Sequence, residues 1–399
     1  MKTVVLVYSG GLDTSVCIPL MREEYGYERV VTVTVDVGQP EQDIREAAEK
    51  AKILGTEHYT VDAREEFARD YCFSSVKANG YYQGYPISTS IARPLIGAKA
   101  VEIAKKVGAT AFAHGCTGKG NDQFRIEYAI RALMPEAIIH APVRERNMTR
   151  SWEIEYAQKK GVPIKQSLEK IWSIDENLWG RSIEGGRLEE PDFTPPAEIF
   201  QWTKDPMEAA AKPMELSIDF ENGVPVALNG EKLGPASLVN MANRFAGDHG
   251  IGRIDIMEDR MLGLKVRENY ECPGATLILG AHRALEALVL TREELRFKAT
   301  IDGEWSRLAY EGLWWDPFKD DLEAFINKTQ ERVTGTVRMR LYKGNFQVIG
   351  RKSDWALYSE ELASFDTTSF DQRESTGTVK NFGLQPRMYF HLKAQKGQK

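Results

Sequence analysis

Near the N-terminus, an apolar strand pattern runs directly into a double-glycine loop and the start of a helix pattern. The strand pattern covers 4–7, the loop reads Tyr-Ser-Gly-Gly-Leu-Asp-Thr-Ser over 8–15, and the helix pattern covers 15–25. Gly10 and Gly11 allow the backbone to approach an anion, and the free N–H groups at a helix start point at it. This unit predicts a phosphate-binding loop at the carboxyl end of a buried strand, and therefore an α/β fold.

The spacing of this loop excludes the two best-known phosphate-binding motifs. A Walker A loop has a lysine after its last glycine, and the dinucleotide fingerprint is GxGxxG; this loop has neither pattern. Ser9, Thr14 and Ser15 add hydroxyl donors. The alternative is an ordinary strand–helix turn in which Asp13 or Thr14 caps the helix.

The first part of the chain, up to about residue 165, alternates short apolar runs with amphipathic stretches, which is the rhythm of a βαβ fold. Gly55, Gly108 and Gly161 each follow a helix pattern, where glycine suits the left-handed position after the helix end. We therefore predict a doubly wound, mostly parallel sheet with ligands at the carboxyl ends of its strands. The predicted strands cover 3–8, 30–36, 57–61, 110–114 and 137–142, and further helices cover 41–54, 91–107 and 151–160.

Beyond about residue 170, proline and glycine interrupt shorter segments, and the pattern becomes that of an α+β domain. Asn222-Gly223 between two alternating runs predicts a β-hairpin of 215–220 with 224–228. Further predicted elements are helices over 234–245, 283–290 and 322–332 and strands over 334–342 and 346–350. We predict a nucleotide-binding domain over 1–168, an α+β domain over 169–374 and a C-terminal tail over 375–399.

Composition and charge restrict the function. The 399 residues are 42% hydrophobic and 28% charged with a formal net charge of −6, which is typical of a globular protein and disfavours nucleic acid as the main substrate. Cys17, Cys72, Cys116 and Cys272 lie far apart and form no CxxC pair, so we predict a reducing, cytoplasmic location with neither a zinc site nor a disulfide framework. No apolar run reaches the roughly 18 residues of a membrane span, and no signal-peptide pattern precedes the first strand.

A second glycine-rich loop, HGCTGKGNDQFR over 114–125, follows the fourth predicted strand and leads into a helix. Asn121 and Arg125 are spaced i, i+4 and share a helix face, so an amide and a guanidinium point together, as carboxylate binding requires. The alternative makes Asn121 a helix cap and Arg125 a solvated surface charge. A third segment, YYQGYPISTSIARP over 81–94, places tyrosines and hydroxyls before a helix that Ser90 is predicted to cap.

The double-glycine loop resembles the SGGxD[ST] loop of the N-type ATP pyrophosphatases, which hold pyrophosphate while ATP is cleaved between its α and β phosphorus atoms. In this order and at these separations, the three segments together resemble the argininosuccinate synthase family. The resemblance covers essentially the whole chain. It continues through DENLWGRSIEGG over 175–186, HGIGRIDIMEDR over 249–260, YECPG over 270–274 and LYKGN over 341–345.

The resemblance implies contacts with three substrates, carried over motif by motif. ATP contacts fall on Val7, Tyr8, Ser9, Gly10, Gly11, Leu12, Asp13, Thr14, Ser15, Val35 and Gly115. Citrulline contacts fall on Tyr85, Ser90, Asn121, Arg125, Ser173, Ser182, Glu258 and Tyr270, and aspartate contacts on Thr117, Asn121 and Asp122. These residue types suit the ligands, because a guanidinium pairs with a carboxylate and a carboxylate with an ammonium.

The implied reaction, a step of arginine biosynthesis, uses ATP to join citrulline to aspartate. The ureido oxygen of citrulline attacks the α-phosphorus to give citrullyl-AMP, and the aspartate amine then displaces AMP to give argininosuccinate. Mg²⁺ neutralises the departing pyrophosphate. Of the two catalytic candidates, Asp13 either caps the first helix or holds Mg²⁺ through water, and Asp122 or a phosphate oxygen takes the proton of the amine.

The family also implies a homotetramer, in which 169–374 is the synthetase and multimerisation domain. We expect no nucleic-acid or membrane partner. One alternative is another adenylating enzyme with an SGGxD[ST] loop, such as a tRNA-modifying ligase, which would need reactive cysteines or a basic domain. The other is a nucleotide-binding protein that has lost turnover and binds ATP without releasing pyrophosphate.

Overall fold

Strands and helices alternate in the first part of the chain in the computed structural model, which describes residues 2–163 and 172–397. In chain order the strands are β1 (Thr3–Val7), β2 (Arg29–Asp36), β3 (Glu57–Asp62), β4 (Tyr81–Tyr82), β5 (Tyr85–Pro86), β6 (Ala111–Ala113), β7 (Ile138–His140), β8 (Ser173–Asn177), β9 (Gly180–Glu184), β10 (Met214–Glu221), β11 (Val224–Leu228), β12 (Glu231–Lys232), β13 (Arg253–Asp259), β14 (Lys265–Glu271), β15 (Gly335–Tyr342) and β16 (Asn345–Lys352).

The α-helices are α1 (Leu12–Glu23), α2 (Glu41–Ile53), α3 (Arg64–Glu66), α4 (Phe73–Lys77), α5 (Thr89–Val107), α6 (Asp122–Leu133), α7 (Pro142–Glu145), α8 (Arg150–Lys159), α9 (Pro235–Asp248), α10 (Pro273–Val289), α11 (Arg292–Glu311), α12 (Pro317–Gln330), α13 (Glu360–Ala363), α14 (Ser375–Asn381) and α15 (Leu384–Gln395). A π-helical turn, Phe67–Cys72, joins α3 to α4. Short 3₁₀ helices lie at Gly186–Glu189, Ala197–Ile199 and Gln372–Glu374.

A five-stranded parallel sheet forms the centre of the first part, in the order β3-β2-β1-β6-β7. Val5 of β1 belongs to one buried cluster that includes Ile91 of α5. Val4 and Leu6 belong to another cluster that includes Cys17 of α1, so helices cover both faces of the sheet. The predicted doubly wound parallel sheet is confirmed.

The three predicted helix ends are also confirmed. Gly55, Gly108 and Gly161 follow α2, α5 and α8 with φ values of 66°, 69° and 65°, in the left-handed region. A residue with a Cβ adopts this region at a cost, which is why glycine marks these ends in the sequence.

Two antiparallel sheets follow in the second part, in the orders β12-β11-β10-β15-β16 and β13-β14-β9-β8. The predicted hairpin of β10 with β11 is confirmed, and Asn222 and Gly223 have φ values of 50° and 77°, as a type I′ turn requires. The predicted helix start at residue 283 is wrong, because α10 begins at Pro273. Its first ten residues are mostly buried and contain no Asp, Glu, Lys or Arg, so no polar face marks this part of the helix in the sequence.

The chain divides into two compact units, Met1–Trp355 and Ala356–Lys399. The second contains α13, α14 and α15, so the predicted tail from residue 375 covers two of its helices. The predicted boundary between 168 and 169 lies outside the described residues. Within 2–163 and 172–397, every helix is too short or too polar to span a bilayer.

The turn between β8 and β9 packs against the end of β2 and so connects the antiparallel strands to the parallel sheet. Leu178 N–H donates to Val37 O at 2.9 Å. Beside this bond, Gly38 has a φ of 105°, and a Cβ there would lie 2.5 Å from Leu178 Cγ and 2.7 Å from Leu178 N. Both the backbone conformation and the close contact therefore require glycine.

We expect Gly38→Ala to lower the free energy of unfolding by about 3 kcal/mol, because it adds a steric clash to backbone strain. Gly26→Ala is the matched control, since Gly26 has a φ of 69° and nothing within 4 Å of an added Cβ. The control should cost about 1 kcal/mol. Urea unfolding measures both values, and equal losses would contradict the importance of the contact with Leu178.

Candidate active site

The double-glycine loop lies between the end of β1 and the start of α1, as predicted. Gly10 has a φ of 73°, and α1 begins at Leu12 with Gly11 as an extended residue before it. No side chain of the described residues caps α1, so the N–H groups of its first turn are available to an anion. Capping by Asp13 or Thr14 is wrong, because both residues lie inside the first turn.

The hydroxyl groups of this loop differ in exposure. Ser9 Oγ and Thr14 Oγ1 lie 3.2 Å apart in an exposed hydrogen bond, and Gly11 N–H donates to Ser9 Oγ at 3.3 Å. Ser15 is instead buried and shares a hydrogen bond of 3.1 Å with Tyr8 OH. Ser9 and Thr14 therefore carry the accessible hydroxyls of the loop.

Two further predicted ATP contacts lie at the carboxyl ends of neighbouring strands. Val7 is the last residue of β1, and Val35 lies next to the last in β2, which pairs with β1 in parallel. Ligands of doubly wound folds bind at this edge of the sheet. The residues predicted to contact ATP thus share one edge with the phosphate loop.

The second glycine-rich loop packs directly against the phosphate loop. Gly115 has no room for a side chain, because a Cβ there would lie 2.9 Å from Thr14 N and 3.0 Å from Asp13 C. His114, which precedes it, is buried and accepts a hydrogen bond from Cys116 N–H on its Nδ1 at 3.2 Å. Gly115, predicted as an ATP contact, therefore lies at the phosphate loop.

An acidic pair flanks the phosphate loop, and the sequence predicted only one of its members. Asp13 Oδ1 lies 3.2 Å from Nη1 of Arg150, near the start of α8. Glu153 of α8 is buried, and burial together with the neighbouring Asp13 raises the pKa of Glu153 to about 8. The environment of Glu153 therefore favours its protonated form more than that of an exposed glutamate does. Glu153 lies in an ordinary helix pattern with no motif, so no local signal identified it.

A chain of ion pairs lies at the start of α6 and runs through Asp175, Arg93, Asp122 and Arg125. Asp122 accepts hydrogen bonds from Arg93 Nε at 2.8 Å and Arg125 Nη1 at 3.0 Å, and Arg93 also pairs with Asp175. Burial alone would raise the pKa of Asp122, but the two guanidinium groups outweigh it and hold this pKa below its usual value. Asp122 is thus a stable carboxylate and a weak base.

Arg125 is only 5% exposed, so the alternative of a solvated surface charge is wrong. Its Nε donates to the backbone oxygen of Tyr310 at 2.9 Å. Asn121 precedes α6, but its side chain does not cap the helix. Its Nδ2 donates to Tyr310 OH at 2.8 Å, and its Oδ1 accepts from Met261 N–H at 3.1 Å. The expected proximity of Asn121 and Arg125 is confirmed, since both contact Tyr310.

Glu258 lies in the same cluster, between two tyrosine hydroxyls. Tyr270 OH donates to Glu258 Oε2 at 2.6 Å, and Tyr310 OH donates to Oε1. The ring of Tyr270 stacks on Tyr85 with centroids 4.0 Å apart, and Ser182 pairs with Tyr270 between β9 and β14. Tyr310 was not predicted, because it lies near the end of α11 without a recognisable motif.

Three further predicted contacts differ from one another in exposure. Ser173 is exposed at the start of β8, and Thr117 is exposed on the second loop. Ser90 is buried, and its hydroxyl has no partner among the described residues. The prediction that Ser90 caps its helix is wrong, because α5 begins at Thr89 and Ser88 is the residue before it.

Models of known protein families match both parts of the chain. The model described as the arginosuccinate synthase N-terminal HUP domain matches residues 3–163. The model described as the arginosuccinate synthase C-terminal domain matches residues 172–389. The two matches leave residues 164–171 between them.

Similar proteins extend these matches over nearly the whole chain. Argininosuccinate synthase of Methanocaldococcus jannaschii is 59% identical over 99% of this chain and 100% of its own. That of Methanococcoides burtonii is 58% identical over 97% of this chain and 98% of its own. That of Archaeoglobus fulgidus is 57% identical over 98% of this chain and 99% of its own. With both halves matched and identity this high, the chain belongs to the argininosuccinate synthase family.

Proposed function

We propose that this chain is an ATP-dependent ligase that joins citrulline to aspartate, giving argininosuccinate, AMP and pyrophosphate. One observation supports this most directly: residues 114–125 form a continuous segment that meets the phosphate loop at Gly115 and the substrate cluster at Arg125. Nucleotide and acceptor sites at its two ends are therefore adjacent. The tRNA-modifying and catalytically silent alternatives are not favoured, because relatives named argininosuccinate synthase match nearly the whole chain.

The proposed chemistry has two steps, because a ureido carbonyl has no good leaving group. The ureido oxygen of citrulline attacks the α-phosphorus, and the bond to pyrophosphate breaks as the new O–P bond forms. The aspartate amine then attacks the ureido carbon, loses a proton and displaces AMP. The contribution of the protein is to position the reactants and stabilise charge.

We assign ATP to the carboxyl edge of the parallel sheet, where the first turn of α1 presents its N–H groups and Ser9 and Thr14 their hydroxyls. These donors suit the charge that develops on pyrophosphate. The full set of proposed ATP contacts is Val7, Tyr8, Ser9, Gly10, Gly11, Leu12, Asp13, Thr14, Ser15, Val35 and Gly115.

We assign citrulline to the cluster around Arg125 and Glu258, with its carboxylate on the guanidinium and its ammonium on Glu258. Arg125 uses two of its five N–H groups within the described residues, at Nε and Nη1, so three are available to a carboxylate. The buried, unpartnered hydroxyl of Ser90 suits a polar atom of the ligand. The remaining proposed contacts are Tyr85, Asn121, Ser173, Ser182 and Tyr270, of which Ser173 rests on the family resemblance alone.

We assign aspartate to Thr117, Asn121 and Asp122. The lowered pKa of Asp122 suits an acceptor for a substrate ammonium and makes it a poor base for the second step. A phosphate oxygen, the other acceptor considered from the sequence, is therefore the proposed destination of the amine proton. Asp122 acts by binding and by holding Arg93 and Arg125.

Mg²⁺ suits the same edge of the sheet. Asp13 offers a carboxylate beside the phosphate loop, and Mg²⁺ is usually held by one or two carboxylates together with substrate phosphates. The described residues contain no group of three or more His, Cys, Asp or Glu side chains able to hold a metal, so ATP would supply further ligands. Bound there, Mg²⁺ would neutralise charge on the departing pyrophosphate.

We also propose that the protein is a cytoplasmic homotetramer. Its four cysteines are free, which suits a reducing compartment. The C-terminal unit exposes Phe365, Phe382 and Phe390 at 97%, 88% and 63%. Exposed aromatic side chains at this density favour an interface between subunits.

Citrulline labelled with oxygen-18 in its ureido group tests the adenylate. We expect the label in the phosphate of AMP, because the ureido oxygen stays on the α-phosphorus when aspartate displaces it. Mass spectrometry of AMP measures the transfer, and unlabelled citrulline is the control. Label absent from AMP in a reaction that does form argininosuccinate would rule out this mechanism.

Substitutions at the two ends of the site should fail in different ways. We expect Asp13→Asn to lower kcat roughly 100-fold at saturating citrulline and to raise the Mg²⁺ concentration required, because a metal-binding charge is lost. Arg125→Lys should raise the KM for citrulline roughly 10- to 100-fold and leave the KM for ATP unchanged, because lysine lacks the fork of the guanidinium. Steady-state kinetics with each substrate varied in turn measures kcat and the KM values of both variants. The same kinetic defect in both variants would contradict the assignment of the two ends of the site.

Sedimentation equilibrium of the full chain should give four times the chain mass of 45.0 kDa. Replacing Phe382 and Phe390 with Asp should dissociate the assembly, because an unpaired charge is costly in an apolar interface. Lys396→Asp, a charge change at a polar position of the same unit, is the control. A monomer formed by the unsubstituted chain would refute the tetramer.

A further inference from the structure

We infer that Tyr310 is a positioning residue whose hydroxyl holds Asn121 and Glu258 in register as one citrulline-binding unit. The inference rests on the proposed function, since it concerns the site assigned to citrulline. Tyr310 lies near the end of α11 and belongs to none of the motifs that identified the site in the sequence. It is nevertheless the residue through which the cluster is connected.

The hydroxyl of Tyr310 lies between one donor and two acceptors. Asn121 Nδ2 donates to it at 2.8 Å, and its own proton can go to Glu258 Oε1 or, at 3.2 Å, to the backbone oxygen of Asp259. A tyrosine hydroxyl has one proton, and the closer, charged oxygen of Glu258 is the stronger acceptor. Burial, followed by the charge of Glu258, raises the pKa of Tyr310, which keeps this donor protonated at neutral pH.

The ring and backbone of Tyr310 are held independently of the hydroxyl. The ring stacks on Tyr82 with centroids 3.5 Å apart, and the Arg125 guanidinium lies 5.0 Å from the ring centroid. Arg125 also donates to the backbone oxygen of Tyr310. Gly312, two residues further along the chain, also packs against Arg125, because a Cβ there would lie 2.6 Å from Arg125 Cα. Removal of the hydroxyl alone therefore leaves the ring in place.

Glu258 depends on two tyrosines, but only one of them reaches the nucleotide side of the site. Tyr270 holds Oε2 and stacks on Tyr85. Tyr310 holds Oε1 and also Asn121, which lies on the segment that meets the phosphate loop at Gly115. A carboxylate offers about four lone-pair sites, so both tyrosines leave room for a substrate ammonium. Tyr310 thus fixes the position of Glu258 relative to the segment beside ATP.

Tyr310→Phe tests this role. We expect the KM for citrulline to rise roughly 10- to 100-fold, the scale of a lost hydrogen bond to a charged group, with the KM for ATP and the urea midpoint nearly unchanged. Tyr27→Phe is the matched control, since it removes a largely buried hydroxyl bonded to His140 Nε2 at 2.8 Å outside the site. The control should leave all three KM values unchanged.

A double-substitution cycle with Asn121→Ala provides a second measurement. If the hydroxyl couples Asn121 to Glu258, the rise in the KM for citrulline in the double variant is smaller than the product of the rises in the two single variants. A rise in the double variant that equals the product of the two single rises overturns the coupling. If Tyr310→Phe does not fold, Tyr310→His, with a shorter polar ring, takes its place in the same cycle.

The outcomes separate this inference from the proposed function. An unsubstituted enzyme that forms no AMP with citrulline and aspartate would refute the function itself. An active enzyme whose Tyr310→Phe variant keeps an unchanged KM for citrulline would overturn only the role of Tyr310. An equal rise of the KM values for ATP and citrulline with a lowered urea midpoint would show a structural role and also overturn it.

Discussion

The close approach of two glycine-rich loops is the constraint on which the rest of the site depends. A Cβ on Gly115 would lie 2.9 Å from Thr14 N, so the second loop follows the phosphate loop at backbone distance. This contact requires β1 and β6 to be neighbours, which their parallel pairing from Val4↔Ala111 provides. Parallel strands deliver both loops to the same edge, and a nucleotide and its acceptor can meet there.

Buried charge gives the site its second property, a fixed arrangement of polar groups. A charge removed from water is costly unless it is paired, and Asp122 is paired with Arg93 and Arg125. The same requirement accounts for the two tyrosine hydroxyls on Glu258. These contacts run between protein groups alone, and side chains held in this way are what catalysis by positioning requires.

Local features of the fold were predictable, and errors arose where packing overrides local preference. The glycine after α5 and the Asn222-Gly223 turn depend on the conformation of a few neighbouring residues, so their sequence signals are reliable. The predicted start of α10 is wrong, because its first ten residues are mostly buried and carry no charged side chain that would mark a polar face. Arg125 would have been a surface charge on local grounds, and only burial against Tyr310 shows otherwise.

The sequence by itself determined the parallel α/β class, the place of the double-glycine loop between β1 and α1, and the family, because each depends on short segments and their order. Only the tertiary structure decided that Glu153 is buried beside Asp13 and that Tyr310 joins Asn121 to Glu258. Tyr310 and Asn121 lie 189 positions apart. No local spacing encodes such a contact, since it forms only when the intervening chain has folded and brought two distant segments to the same edge of the sheet.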